Sequence, residues 1–237
     1  MERKGFEMQN VSVARLVEDM DIYPRVQVDD YHVSTIAEAV RAGNQMPPLV
    51  VGQLKGHRTK TFLIIDGVHR SRAYRKVFGN NVSVPVTAKF YLSKAEMIFE
   101  AAQLNASHGR TLAMQDKTKC IVMLEKSGYS VDDISRALAL TVERVKTLRA
   151  ERVASHNDAM VALKLTTRHL AGRDLSDDEM DYQSKAGGRP QSFYVNQVIS
   201  MLEHETVDWT DTRLVDQLVE LSRLLEEQKG RLALKVK

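Results

Sequence analysis

A glycine followed by three basic side chains offers the clearest chemistry in this sequence. The stretch Ile64–Asp66 is predicted to end a strand, and Gly67 permits a tight turn into a helix. The first amides of a helix have no intrahelical partner and lie at the positive end of its dipole, so they attract anions. His69, Arg70 and Arg72 fall in that first turn, where cations are disfavoured unless an anion neutralises them. The spacing predicts a phosphate-binding turn; the alternative is that the arginines face water and His69 packs.

The segment from Ser130 to Arg149 has the spacing of two short helices joined by a tight turn. Ser130 and Thr141 are placed to cap the two helices. This is the pattern of a helix-turn-helix, whose second helix can lie in the major groove of DNA. The residues predicted to contact DNA are Thr141, Arg144, Lys146, Thr147 and Arg149. The alternative is a plain helical hairpin with a basic outer face, because Ala139 stands where such turns often carry glycine.

The elements that position the phosphate-binding turn form a small mixed-sheet domain, predicted over residues 8–92. Strands are expected near residues 11–13, 49–54, 61–65 and 82–90, with a helix over 33–40. The polar stretch 55–60 is predicted to be a hairpin loop. The apolar residues of the last strand alternate without a miss, and Pro85, which faces the other way, predicts an edge strand or a bulge there.

From Ser93 onward the signals are helical, so the predicted fold class is α+β. Residues 93–155 are predicted to be all-α, with the helix-turn-helix at 130–150, and residues 156–237 to be a helical tail. Periodicity is weaker over 155–172, which fits a helix or a linker. In the tail, Leu214, Leu218, Leu221 and Leu225 have heptad spacing. That spacing predicts either a short dimerisation seam or packing of this helix on its own domain.

Composition and charge exclude several classes of protein. The chain has 237 residues, 43% of them hydrophobic and 27% charged, which are the proportions of a globular protein. It has no apolar run of about 18 residues, so no membrane partner is expected. The single Cys120 cannot form an internal disulfide, and no secretory signal precedes the domain, so a cytoplasmic location is expected. The net charge of +3 conceals a basic stretch over residues 55–89, which favours anionic partners.

The segment Gly67–Ala73 resembles the glycine–glutamate–arginine–arginine–x–arginine–alanine box of the ParB/sulfiredoxin-like superfamily. Further boxes of that superfamily have counterparts in order along the chain: Pro24-Arg25, Pro47-Pro48-Leu49-Val50-Val51, Val84-Pro85-Val86 and Leu104-Asn105-Ala106-Ser107-His108. The helix-turn-helix follows at the distance that ParB proteins show. Each motif is short, but their order and spacing over residues 11–152 are together fairly specific.

In ParB proteins the glycine and asparagine boxes bind the triphosphate of CTP, and nucleotide binding gates a DNA clamp. The resemblance therefore implies binding of CTP or another nucleotide, with Mg²⁺, at Arg25, Gly67, His69, Arg70, Arg72, Asn105 and His108. Within these boxes Val68 replaces a glutamate, while His69 and His108 replace arginines. Leu104 replaces the glutamate that helps to hold the metal ion, which argues against magnesium-dependent hydrolysis of CTP. Asp66 is the alternative carboxylate, and no metal-ligand spacing appears elsewhere.

The enzymatic relatives can be compared at the same turn. Sulfiredoxin requires a nucleophilic cysteine where Val68 stands, so that activity is excluded. Serine kinases of this fold carry an aspartate–glycine–histidine–histidine–arginine turn, which Asp66–Arg70 resembles. The predicted function is a prokaryotic, phage or plasmid DNA-binding ParB-like protein, a homodimer that acts in partition or transcriptional regulation. The alternatives are a phosphotransferase, NTPase or nuclease that uses the Gly67–Arg72 turn, and an accessory protein that has lost nucleotide binding.

Overall fold

A five-stranded mixed sheet forms the first part of the chain. The structure is a computed structural model that describes residues 7–55, 60–107 and 111–230. The strands are β1 (Glu7–Ser12), β2 (Leu16–Val17), β3 (Leu49–Leu54), β4 (Phe62–Asp66) and β5 (Ser83–Tyr91), in the order β1-β5-β3-β4-β2. β3 is antiparallel to β4 and parallel to β5, while β1 is antiparallel to β5 and β2 parallel to β4. The predicted hairpin of β3 and β4 is present, and residues 56–59 of its loop lie outside the described residues.

Two helices pack together beside this sheet, α1 (Asp30–Arg41) and α2 (Val68–Phe78). The side chain of Asp29 caps α1 by accepting from the amide of His32, and Val33 and Ala37 on one face of the helix are buried against Ala73 of α2. Apolar residues on the strands form a second buried cluster, as their alternation predicts. The packing of α2 against α1 holds the first turn of α2 at the end of β4.

At Pro85 the structure differs from the prediction of an edge strand or a bulge. β5 has a neighbour on each side, and its register with both runs without a shift. The ladder between β3 and β5 begins at the pair Leu49 and Val86, one residue after Pro85. The missing N–H of the proline therefore costs no bond to β3, and a proline is tolerated in an interior strand.

Four helices follow: α3 (Lys94–Ser107), α4 (Met114–Lys126), α5 (Val131–Leu138) and α6 (Val142–Arg152). They share one apolar cluster in which Leu124, Ile134 and Leu148 are fully buried. Ile65 and Tyr91 of the sheet belong to the same cluster, so the helices and the sheet are packed as one body. Helix α4 lies at the centre of this arrangement, because it contacts α3, α5 and α6.

The chain after α6 differs from the prediction of a helical tail that begins at residue 156. Strands β6 (Val153–His156) and β7 (Ala159–Ala162) form an antiparallel hairpin, and the predicted boundary at 155/156 falls inside β6. Asn157 and Asp158 have φ angles of 49° and 62°, and two such residues form the turn that matches the twist of paired strands. A 3-10 turn, Leu165–Leu170, and helix α7 (Asp177–Lys185) follow.

The described chain divides into two compact units between Gly188 and Arg189, directly after a glycine pair. The first unit therefore extends through α7. The second contains α8 (Gln191–Glu203) and α9 (Thr212–Glu227), which are helical as predicted. Neither helix has a buried residue. Among the helices of the described chain, none combines the length and the apolar character needed to cross a membrane.

Candidate functional site

A cavity of about 490 Å³ opens at the N-terminal end of α2. Its lining includes Arg25, Gly67, His69, Arg70 and Asn105, five of the residues predicted to bind a nucleotide. They come from the loop before α1, from the start of α2 and from the end of α3. Apolar side chains, among them Ile36 and Met46, line another part of the cavity. The structure thus brings distant motifs to one hollow that is lined by both polar and apolar residues.

Gly67 makes the close turn into α2 possible. Its φ angle is 105°, in the region that favours glycine, and a Cβ atom built there would lie 3.0 Å from Leu49 Cγ and 3.1 Å from Arg70 Nη2. The amide of Ser71 donates to the carbonyl of Gly67 at 2.8 Å. The three amides before it have no intrahelical acceptor, and glycine has no side chain with which to cap them. The helix therefore presents N–H groups at the cavity.

Arg70 lines the cavity but is paired internally. Its guanidinium donates to Asp66 Oδ2 at 2.6 Å and to the carbonyls of Pro47 and Pro48 at 2.7 and 2.9 Å. These bonds tie the start of α2 to the segment before β3. The anion that the sequence predicts beside this turn is, for Arg70, already supplied by a carboxylate of β4. An anion that binds Arg70 must share its guanidinium with Asp66.

Arg72 does not lie with the other predicted site residues. It forms two short bonds to Glu18, with Nε at 3.0 Å and Nη2 at 2.7 Å from Oε2, and Arg75 lies 3.4 Å from the other oxygen of Glu18. This bonding raises the pKa of Arg72 above its usual value. Arg72 lines a separate surface hollow beside β2. Arg72 therefore does not line the cavity to which the sequence assigns it. Arg70 and Arg72 are two positions apart on α2, so their side chains point to different sides of the helix.

Helix α4 holds the wall of the cavity that carries Tyr23 and Arg25. Asp116 lies 3.7 Å from the guanidinium of Arg25 and accepts from the amide of Val26 at 2.9 Å. Lys119 donates to the carbonyls of Tyr23 and Arg25, each at 2.9 Å. Burial lowers the pKa of Lys119, but the ammonium keeps these carbonyl partners. Asp116 and Lys119 have no signal in the sequence, because no local pattern shows a contact across ninety residues or more.

Tyr23 brings an unused polar group to the same cavity. Its side chain lines the hollow, the residue is only 5% exposed, and no described residue forms a hydrogen bond with its hydroxyl. Burial raises the pKa of Tyr23 to about 12, so the hydroxyl stays protonated near neutral pH. A buried hydroxyl without a partner carries a desolvation cost.

His69 and Asn105 complete the predicted set. Nε2 of His69 accepts from the amide of Asp29 at 3.3 Å, and its ring lies 5.1 Å from that of His32 in an edge-on arrangement. Asn105 is buried and donates from Nδ2 to the carbonyl of Ala101 at 2.9 Å. His108 lies outside the described residues.

The donor atoms around the cavity do not fit a protein-bound Mg²⁺ ion. Leu104, in the place of the family's metal-holding glutamate, packs against the apolar cluster of the helices. Asp66 is the one carboxylate among the described residues of the lining, and it accepts from Arg70. Within residues 7–55, 60–107 and 111–230, no three His, Cys, Asp or Glu side chains form a group that could hold a metal ion. We therefore derive no chemistry from a metal held by this chain.

The predicted DNA-contacting residues lie on α6 and at its start. Thr141 caps α6 by accepting from the amide of Arg144 at 3.1 Å, and Ala139 adopts the left-handed turn with a φ angle of 50°. Lys146 is exposed, whereas Arg149 lies 3.2 Å from Glu125 of α4. Arg149 is therefore already paired.

The other two predicted contacts have protein partners as well. Thr147 donates to the carbonyl of Glu143 at 2.9 Å, as serines and threonines inside helices commonly do. Arg144 lies with Nη2 3.7 Å from the sulfur of Met114, at the start of α4. Of the three predicted cations on α6, Arg144 and Lys146 have no carboxylate partner among the described residues.

Comparison with known proteins gives one family match and several structural ones. Residues 2–101 match the family model of the ParB N-terminal domain. No curated protein sequence matches the chain. The chain is similar to the C-terminally truncated chromosome-partitioning protein ParB from Caulobacter crescentus complexed with CTP-gamma-S, at 15% identity and a TM-score of 0.37, over 61% of this chain and 78% of that one.

Two further structures show the same kind of likeness. The Caulobacter crescentus protein complexed to the centromeric parS site matches at 15% identity and a TM-score of 0.44, over 75% of this chain and 78% of that one. A Pnob8-like ParB-N domain matches at 18% identity and a TM-score of 0.39, over 68% of this chain and 59% of that one.

Proposed function

We propose, from the premise that residues 2–101 belong to the ParB N-terminal domain family, that this protein binds duplex DNA through α5 and α6 and a nucleotide in the cavity at α2. CTP is the first nucleotide to test. The protein would act in DNA partition or transcriptional regulation in a prokaryotic cytoplasm, in a phage or plasmid context. The observation that carries the nucleotide part is the meeting of the glycine-box and asparagine-box residues at one cavity.

The chemistry of the lining favours a phosphate group. Its donors are the guanidiniums of Arg25 and Arg70 and the open amides of α2, against a single carboxylate, that of Asp66, among the described lining residues. Guanidinium groups and helix N-termini are suited to phosphate oxygens. In ParB proteins the two boxes bind the triphosphate of CTP, and Gly67, Arg70 and Asn105 occupy the matching positions. The apolar portion of the cavity is suited to a base or sugar.

Helix α4 gives this site a physical connection to the helix pair. Asp116 and Lys119 on one side of α4 hold the cavity wall, and Leu124 on another side packs in the cluster that includes Ile134 of α5 and Leu148 of α6. A phosphate that draws Arg25 away from Asp116 would act on a helix that also supports the proposed DNA-binding surface. This contact supports the proposal that nucleotide binding modulates DNA binding.

Titration with CTP, ATP and ADP tests the nucleotide part and separates it from the enzyme alternative. We expect CTP to bind without release of phosphate, because no carboxylate stands at residue 104 to hold a catalytic metal ion. Isothermal titration calorimetry measures binding, and a phosphate-release assay on the same samples measures turnover. Turnover that disappears in Arg70→Ala would replace this proposal with a phosphotransferase or NTPase. Absence of binding by all three nucleotides would reject the nucleotide site.

Exposed leucines on α9 of the second unit support association with a second copy of the chain. All four leucines of the heptad seam on α9 are at least partly exposed, and Leu225 is 50% exposed. Exposed apolar seams of this kind are covered by a partner helix. We expect light scattering to give the mass of a dimer at micromolar concentration. Leu218→Glu/Leu225→Glu should give the monomer mass, whereas Asp216→Lys/Glu220→Lys on the polar face should not. A wild-type monomer would contradict this expectation.

A further inference from the structure

Three arginines lie on α6 and on the 3-10 turn Leu165–Leu170 beside it. Arg144 and Arg152 belong to α6, Arg168 belongs to the turn, and the turn packs directly against α6. The amide of Leu163 donates to the carbonyl of Arg152 at 2.8 Å, which anchors the segment before the turn to the end of the helix. Burial and then the positive charge of Arg168 lower the pKa of Arg152, and Arg144 adds to this effect. Arg152 is therefore within electrostatic range of both Arg168 and Arg144.

This arginine cluster, Arg144, Arg152 and Arg168, differs from the other arginines nearby. Arg149 lies 3.2 Å from Glu125, and Arg173 lies 3.0 Å from Glu179. No member of the arginine cluster forms an ion pair with a carboxylate of the described residues, and only the adjacent Glu151 opposes their effect on Arg152. Like charges held together in this way repel each other unless an anion lies beside them. The cluster is also continuous with the helix that the proposed function places in a DNA groove.

We infer that the 3-10 turn Leu165–Leu170 is part of the DNA interface, and that Arg152 and Arg168 contact the phosphate backbone beside α6. This inference rests on the proposed DNA binding by α5 and α6. An α-helix nearly fills the major groove, so the flank of a helix in the groove faces one of the phosphate strands. Arg168 is an exposed residue of the turn that packs against α6. Its contact would be to phosphates and would carry no sequence preference.

The test compares Arg168→Ala with Arg173→Ala by fluorescence anisotropy, using a mixed-sequence 30-base-pair DNA duplex of about three helical turns. Both variants remove one exposed arginine from the same part of the chain, but Arg173 already has a carboxylate partner. For Arg168→Ala we expect roughly five- to tenfold weaker binding at about 0.1 M salt and a salt slope smaller by about 0.9. Arg168→Lys should retain most of the affinity, and Arg173→Ala should bind like the wild type.

The outcomes separate the inference from the proposed function. If the wild type does not bind the duplex at any salt concentration, the proposed DNA binding fails and the inference fails with it. If Arg144→Ala/Lys146→Ala weakens binding but Arg168→Ala does not, only the inference is overturned. Equal losses in Arg168→Ala and Arg173→Ala would show an effect of net charge and would also overturn it. Stronger binding of the matching RNA duplex than of DNA would identify a different partner for the cluster and overturn it as well.

Discussion

Arg70→Ala is expected to weaken CTP binding roughly 30-fold or more, because it removes the guanidinium that lines the cavity and organises its rim. Charge-assisted hydrogen bonds contribute about 1.5–3 kcal/mol each, which is roughly a 10- to 150-fold change in affinity. The same side chain bonds to Asp66, Pro47 and Pro48, so its loss also frees the segment that precedes β3. Arg70→Lys keeps the charge but loses the forked geometry, so we expect an intermediate affinity.

Asp66→Asn should have the opposite effect on CTP affinity, which distinguishes a specific role of Arg70 from general damage to the fold. In the wild type, Asp66 accepts from Arg70 at 2.6 Å and competes with any phosphate for that guanidinium. Removal of the carboxylate charge leaves Arg70 in place and takes away the competing anion. We therefore expect Asp66→Asn to bind CTP several-fold more tightly than the wild type, while Arg70→Ala binds more weakly. General damage to the fold would weaken binding in both variants.

Calorimetric titration with CTP measures both effects, and Arg41→Ala is the control. Arg41 is an exposed residue in the last turn of α1, and it is not in the lining of the cavity, so its removal changes net charge alone. Circular dichroism during heating checks that each variant is folded at the titration temperature. Unchanged affinity in Arg70→Ala, or weaker binding in both Arg70→Ala and Asp66→Asn, would remove Arg70 from the proposed site.

The parts of the fold that the sequence predicts well are those set by neighbouring residues. The turn at Gly67 needs only a strand, a glycine and a following helix, and all three are read within about a dozen residues. The caps at Ser130 and Thr141 are equally local, because each side chain accepts from an amide three residues later. These local features are enough to predict where the open amides of α2 lie and where α6 starts, without knowledge of any tertiary contact.

The rest depends on partners that are distant in the sequence. Glu18 pairs with Arg72 across 54 residues, and Lys119 donates to the carbonyl of Arg25 across 94. No periodicity or propensity reports such contacts, so the sequence alone does not show that carboxylates of the chain neutralise the arginines of the basic turn. The hairpin at Asn157-Asp158 was missed for a different reason, since its short strands have little alternation and only the turn dipeptide signals it.

The largest expected effect on DNA binding comes from Arg144→Ala/Lys146→Ala. Each lost phosphate contact lowers the salt slope by about 0.9, so at about 0.1 M salt the double variant should bind a mixed-sequence duplex roughly 30- to 100-fold more weakly. Lys146 is exposed, and the sulfur of Met114 is the only hydrogen-bond partner of the Arg144 side chain among the described residues, so we expect the thermal unfolding temperature to be retained.

The matched control for this double variant is Arg173→Ala/Lys185→Ala, which removes the same charge from cations that are already paired with Glu179 and Asp181 at 3.0 and 2.7 Å. Fluorescence anisotropy over a series of salt concentrations gives both the affinity and the slope for each protein. A slope that falls by about 1.8 only in the α6 variant would locate the phosphate contacts on that helix. Equal slopes in the two variants would mean that α6 does not lie against DNA, because the overall charge of the protein would then account for all of the loss.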